Sequence, residues 1–185
     1  MDSLQHHFLI AMPSLKDPFF AGSVTYLCEH NDEGAMGLVI NVPTDMPLYE
    51  LLEQLDMAPE EELPELDEPV LQGGPIAADR GFVLHTPVAG FSSSQMLADN
   101  LMITTSPDIL TTLGTEQAPE EYLVTLGYAG WTPGQLEQEL LENSWLTIPA
   151  DTNLIFDTPL AKRWQQAIAR LGIDPRHLSY QVGHA

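Results

Sequence analysis

Cys28 and His30 are the residues whose types and spacing could do chemistry in this chain. On an extended strand, positions two apart project from one face at about 7 Å, near enough for an imidazole to take a thiol proton and leave a thiolate nucleophile. Glu29, Asp32 and Glu33 stand beside the pair, and their negative charge works against a second anion. The plainer expectation makes Cys28 a small core residue beside Val24 and Tyr26, with His30 satisfied by turn backbone. His30, Asp32 and Glu33 are also metal donors by type. They lack the ligand spacing of a calcium loop, and no His-Glu-x-x-His or paired Cys-x-x-Cys pattern occurs, so neither a metal nor a cofactor is expected.

Two glycine-rich segments could hold an anion. Gly127-Tyr128-Ala129-Gly130-Trp131 leads from a strand towards a helix start at Thr132, where free backbone N–H groups collect. No lysine follows, and a capping box over Thr132-Pro133-Gly134-Gln135 would occupy some of those donors. Close backbone packing beside Trp131 is the favoured reading, and Gly73-Gly74-Pro75 reads as a tight turn. Four of the six basic residues, Lys162, Arg163, Arg170 and Arg176, fall in the last 28 positions, where Asp174 is the only acid. This strip could face phosphates, but the whole chain carries 27 acidic residues and a formal charge of -21. Direct nucleic-acid binding is therefore not expected. Docking of the strip onto an acidic protein surface is the plainer account.

The elements that must position these groups follow from periodicity. Phe8–Met12 reads as a buried strand stopped by Pro13. Residues 22–42 read as a hairpin around Asn31-Asp32-Glu33-Gly34. Leu48, Leu51, Leu52 and Leu55 recur at helical spacing. Residues 56–69 hold seven acidic residues and three prolines, a composition that predicts a solvated, mobile acidic loop. Strands are expected at Val70–Gln72, Phe82–His85, Leu101–Thr105, Tyr122–Gly127 and Asn153–Phe156, with a loop at Ser92-Ser93-Ser94. Ser106-Pro107, Thr132-Pro133 and Thr158-Pro159 are hydroxyl caps followed by proline, the signature of a helix start. The last helix would bury Leu160, Trp164, Ala167, Ile168 and Leu171 and stop at Gly172. The sum is an α+β domain of roughly seven to nine strands and four helices.

A chain of 185 residues fits one domain, and at this size it can bury about 70% of its unfolded surface without staples. The single cysteine excludes an internal disulfide and suits a reducing compartment. The first seven residues carry no Lys or Arg and read as disordered, and no run of eighteen apolar residues occurs. A cytoplasmic location with no membrane contact is expected.

Several motifs taken together resemble a known family. They are Cys28-Glu29-His30-Asn31-Asp32-Glu33-Gly34-Ala35-Met36-Gly37-Leu38-Val39-Ile40-Asn41, then Gly73-Gly74-Pro75, Gly127 to Trp131 with Gly134-Gln135-Leu136-Glu137, and the terminal Gly183-His184-Ala185. From about Phe8 to its end the chain resembles the YqgE/AlgH family of bacterial proteins. Val42 stands before Pro43 where members of that family usually carry Arg, a departure at the hairpin exit. The resemblance implies an α+β fold, a mixed bifurcated sheet curled into a pseudo-barrel with about four helices around it. It implies a transcriptional regulator without an agreed reaction, one acting indirectly through an unidentified protein or small-molecule partner. Its signature falls on Cys28 and His30 as catalytic candidates and on Asn41, Gly73, Gly74, Gly127, Trp131, Gln135 and Glu137 as ligand-binding candidates. The alternative function is an enzyme or redox sensor dependent on Cys28 and His30.

Overall fold

The computed structural model describes residues 2–61 and 63–172. Arg176 and the Gly183-His184-Ala185 motif lie outside them. Ten strands form one sheet among the described residues: β1 His7–Ala11, β2 Val24–Asn31, β3 Gly34–Val39, β4 Pro43–Pro47, β5 Pro69–Gln72, β6 Ile76–His85, β7 Ser94–Ala98, β8 Leu101–Thr104, β9 Tyr122–Trp131 and β10 Trp145–Pro149. The helices are α1 Leu48–Gln54, α2 Gln135–Leu141 and α3 Arg163–Ala169, with shorter 3-10 turns between elements. The architecture is α+β, a curled sheet in the form of a half-barrel.

The main strand path runs β10-β1-β2-β3-β9-β6-β8-β7. β9 is the branch point. One edge of it pairs antiparallel with β6. Along the other edge, Thr125 and Leu126 pair in parallel with Leu71 and Gln72 of β5, whereas Ala129 to Trp131 pair with Ala35 to Gly37 of β3. The sheet therefore splits beside Gly127, and Gly73 sits in the fork. Its N–H donates to the Leu126 carbonyl, and its own carbonyl accepts from Val39.

Apolar clusters fill both sides. Phe8, Ile10, Val24, Tyr26, Cys28, Leu38 and Leu84 pack against Ala167 and Ile168 of α3. Leu51 and Leu52 of α1 meet Leu66, Val83, Ile109 and Val124. On the remaining face Leu9, Leu27, Ala129, Trp131 and Trp145 cover Leu136 of α2. Each such large side chain contributes about 1.5–3 kcal/mol through removal from water.

Several expectations are corrected. Residues 153–156 are not a strand; Asn153–Asp157 forms a π-helical turn. Asp151 Oδ1 accepts the Leu154 N–H, and the Thr158 N–H and hydroxyl both bond the Asn153 carbonyl, so local side-chain bonds close the segment. The strand in this part of the chain is β10, which pairs with β1 in the register Ala11 to Trp145. β4 and β7 are further strands that propensity does not announce. β9 runs on through Gly127 to Trp131, where a connection was expected.

The acidic segment 56–69 is not loose throughout. Leu66 is fully buried in the 3-10 turn Pro64–Asp67. Residues 3–7, expected to be disordered, are tied down. The Ser3 hydroxyl bonds the His30 carbonyl, Leu4 N–H bonds the His30 ring, and His6 Nδ1 lies 2.8 Å from the Tyr26 hydroxyl.

Candidate functional site

The bond network at the end of β2 decides what His30 can do. A β-bulge interrupts the β2–β3 register between Leu27 and Glu29, so Cys28 is the extra residue. One added residue exchanges the faces of everything after it. Cys28 stays with Val24 and Tyr26 in one cluster. His30 pairs with Ala35, which packs on the opposite cluster with Trp131 and Leu136. The expected shared face of Cys28 and His30 is thus removed by the bulge.

Both ring nitrogens of His30 are engaged. Leu4 N–H donates to Nδ1 at 2.8 Å, so Nδ1 carries no proton and Nε2 is the donor to Glu137 Oε1. That bond, ahead of the other influences on the group, holds the Glu137 carboxyl below its usual range. Cys28 is 5% exposed. Burial first, and the Glu29 charge second, push its thiol far above the ordinary value, which removes the thiolate on which nucleophilic chemistry depends.

Trp131 and Gln135 belong to a neighbouring clamp. The Trp131 and Trp145 indoles both donate to Glu139 Oε1, at 3.0 and 2.9 Å, while the Gln135 amide donates to Oε2 at 2.9 Å. Gln135 Oε1 accepts the Thr132 N–H at 3.0 Å. One arm of the expected capping box is present, although the residue immediately before α2 is Gly134 in the left-handed region at φ 80°. Glu139 was not anticipated from sequence; its position four residues after Gln135 on α2 was the available signal.

Gly73, Gly74 and Gly127 meet at the fork of the sheet. A Cβ on Gly73 would stand 2.5 Å from the Gly127 carbonyl oxygen, and one on Gly74 would overlap the backbone of Tyr128. Gly127 also adopts φ 78°. These glycines permit two backbones to cross at contact distance. Asn41 stands apart from them. Its Oδ1 accepts Val24 N–H at 2.8 Å and its Nδ2 donates to the Gly22 carbonyl at 3.0 Å, fixing the entry to β2. The signature residues therefore occupy separate places, the His30–Glu137 and Trp131–Gln135 corner, the glycine fork and the Asn41 brace.

The basic strip is also dispersed. Arg163 is buried, with Nε donating to the Thr158 carbonyl at 3.1 Å and Nη1 to Ile40. Its pKa is pushed down to about 10, by desolvation. Arg170 pairs with Asp151.

A larger concavity than the one at the hairpin corner lies elsewhere. A cleft of about 440 Å³ opens between the start of β9, the segment leading into β5, and the 153–160 turn. Leu71, Leu123, Phe156 and Leu160 line it, together with Tyr122 and the buried Arg163. Five carboxylates ring it: Glu65, Glu68, Glu120, Glu121 and Asp157. Asp157 holds the Glu121 carboxyl above its usual range, first through a shared hydrogen bond and then, with burial, through like charge. Sequence reading missed this site because its rim comes from segments far apart in the chain. Among the described residues no three His, Cys, Asp or Glu side chains converge closely enough to hold a metal ion, and no helix is long and apolar enough to cross a membrane.

Comparison with known proteins places this geometry. The family model described as AlgH-like matches residues 8–176. A UPF0301 protein of Pseudoalteromonas translucida is 55% identical over 185 residues, covering 100% of both chains. One from Serratia proteamaculans is 58% identical over 186 residues, covering 99% of this chain and 100% of its own. The solution structure of the AlgH protein from Pseudomonas aeruginosa shares 49% identity and a TM-score of 0.78, covering 99% of this chain and 96% of that one. A crystal structure from Corynebacterium diphtheriae, at 20% identity and TM-score 0.70 over 92% of this chain and 88% of that one, shares the fold.

Proposed function

This chain belongs to the AlgH-like family, and on that premise we propose that it is a cytoplasmic regulatory protein that works by binding a protein or small ligand in the acidic cleft. Its effect on transcription is indirect. The observation that carries this reading is the cleft itself, about 440 Å³ with an apolar floor and a carboxylate rim, a volume in the range of ligand sites. A rim of that sign repels phosphate. Two residues of the basic strip support the same reading, since Arg163 is enclosed and Arg170 is paired, whereas Lys162 stays exposed.

Thiol chemistry at Cys28 and His30 has little support. The thiol is buried and the imidazole has no free nitrogen to serve as its base. Within this proposal the signature residues act as framework. Gly73, Gly74 and Gly127 allow the fork, Asn41 braces β2, and His30, Glu137, Trp131 and Gln135 hold α2 onto the sheet.

Anisotropy of a labelled duplex, titrated with the purified full-length chain at low salt, tests the proposal. No rise is expected. A salt-sensitive rise with a slope reflecting several phosphate contacts would overturn it.

A further inference from the structure

The cleft has a composition that narrows its ligand. Its floor offers aliphatic and aromatic surface from Leu71, Leu123, Phe156 and Leu160, and its rim offers carboxylates on several sides. Glu65 lies in the 3-10 turn Pro64–Asp67, Glu68 leads into β5, Glu120 and Glu121 lead into β9, and Asp157 closes the π-helical turn. The charges therefore surround the floor. They do not converge on one point, because no three of them are placed to share a metal ion.

Dispersed carboxylates around an apolar floor suit an extended molecule with charge at intervals and methylene groups between. They suit a compact divalent cation poorly. The rim carries hydrogen bonds, Asp157 accepting from the Asn153 amide, but no salt bridge among the described residues. Among the described residues no basic side chain pairs with Glu65, Glu68, Glu120, Glu121 or Asp157. Arg163, the one cation lining the cleft among the described residues, directs Nε and Nη1 to the carbonyls of Thr158 and Ile40 and acts on Glu68 through charge without a salt bridge.

We infer that the cleft binds a linear aliphatic polyamine, its methylene chain lying over Leu71, Leu123 and Leu160 and its ammonium groups reaching the Glu121–Asp157 pair and the carboxylates opposite. The inference rests on the proposed role of the cleft and names its ligand class.

Isothermal titration of the full-length chain with spermidine tests it. The expected result is a single saturable site that magnesium chloride at matched ionic strength does not reproduce. The paired substitution Glu121→Gln with Asp157→Asn weakens binding about tenfold or more. Leu160→Trp, which fills the cleft and changes no charge, abolishes it. Asp32→Asn with Glu33→Gln, which removes the same charge from the distant hairpin turn, leaves it unchanged.

Non-saturable uptake, or equal losses from the cleft and hairpin variants, would overturn the inference by showing attraction to net charge alone. A lysine-rich peptide that binds in a Leu160-dependent way while spermidine does not would also overturn it, yet would leave the proposed function standing. Failure of every cationic probe to sense Leu160→Trp would count against both.

Discussion

His30 on β2 and Glu137 on α2 are joined by a hydrogen bond across 107 positions of the chain, and the second nitrogen of the same imidazole receives the backbone N–H of Leu4. One side chain thus ties the hairpin, the helix and the N-terminal arm together. The Ser3 hydroxyl adds a bond to the His30 carbonyl.

His30→Ala removes the acceptor for Leu4 and the donor to Glu137 at once. A loss of about 1–3 kcal/mol in unfolding free energy is expected, from polar partners left without bonds. Hydrogen exchange at the Leu4 amide should accelerate in the variant beyond what the global loss explains. Unchanged protection at Leu4 would show that the latch does not hold.

Cys28 should be inert in the folded chain. A charged disulfide reagent is expected to label it only as fast as the protein unfolds, because the thiol is buried and its ionisation is suppressed. Cys28→Ser should cost about 1–3 kcal/mol for the hydroxyl it would bury, with Cys28→Ala costing less. Rapid labelling of native protein near neutral pH would revive the thiol chemistry.

The glycine fork gives the largest mutational effects. Gly74→Ala puts a methyl group into the backbone of Tyr128, and Gly127→Ala adds strain at φ 78°. Each should cost about 3 kcal/mol or more, as overpacking against backbone has no cheap relief. Gly22→Ala, where no atom lies within 4 Å of the added Cβ, should cost less despite its φ of 72°. Denaturant midpoints of the three variants check the order.

Acid should weaken the fold from just below neutrality. His85 is buried, and desolvation lowers its pKa despite the opposing bond to the Thr86 carbonyl. Its Nε2 lies 2.6 Å from the Thr104 hydroxyl, which in turn contacts Ser94. Since Nδ1 must donate to Thr86, Nε2 accepts from Thr104, an arrangement that only the neutral ring allows. A base whose folded pKa is depressed binds fewer protons when folded. Its stabilising contribution is complete above about 6.5, the unfolded histidine value, and is lost as pH falls through the folded pKa. His6 shifts in the same direction, from desolvation first. Glu121 has the opposite sign, with a contribution complete below its unfolded value and lost as pH rises through its raised pKa. Midpoints of thermal unfolding should fall between pH 7.5 and 5.5, and less so in a His85→Gln variant. A flat profile would contradict the assignment.

Much of the sheet was legible because β2, β3, β8 and the first half of β9 carry strand periodicity or β-branched runs in a few consecutive residues. β10 was not, since the pairing of Trp145 with Ala11 is made across most of the chain. The turn at 153–157 has strand-like composition, and only its bonds to Asp151 and Thr158 reveal the helical closure. The Cys28 and His30 reading failed on one inserted residue, the bulge at Cys28, which strict alternation cannot show. Arg163 read as a surface cation because sequence does not announce the Ile40 carbonyl as its partner. The cleft was invisible for the same reason, as Glu68, Glu121 and Asp157 come to line one cleft only after folding.

Transcript profiling of cells that carry Leu160→Trp in place of the wild-type gene shows whether regulation runs through the cleft. A folded, normally abundant chain is expected, with a profile that matches that of a strain lacking the gene, since filling the cleft removes the working surface. A profile matching the wild type, with the cleft filled and the chain folded, would contradict it.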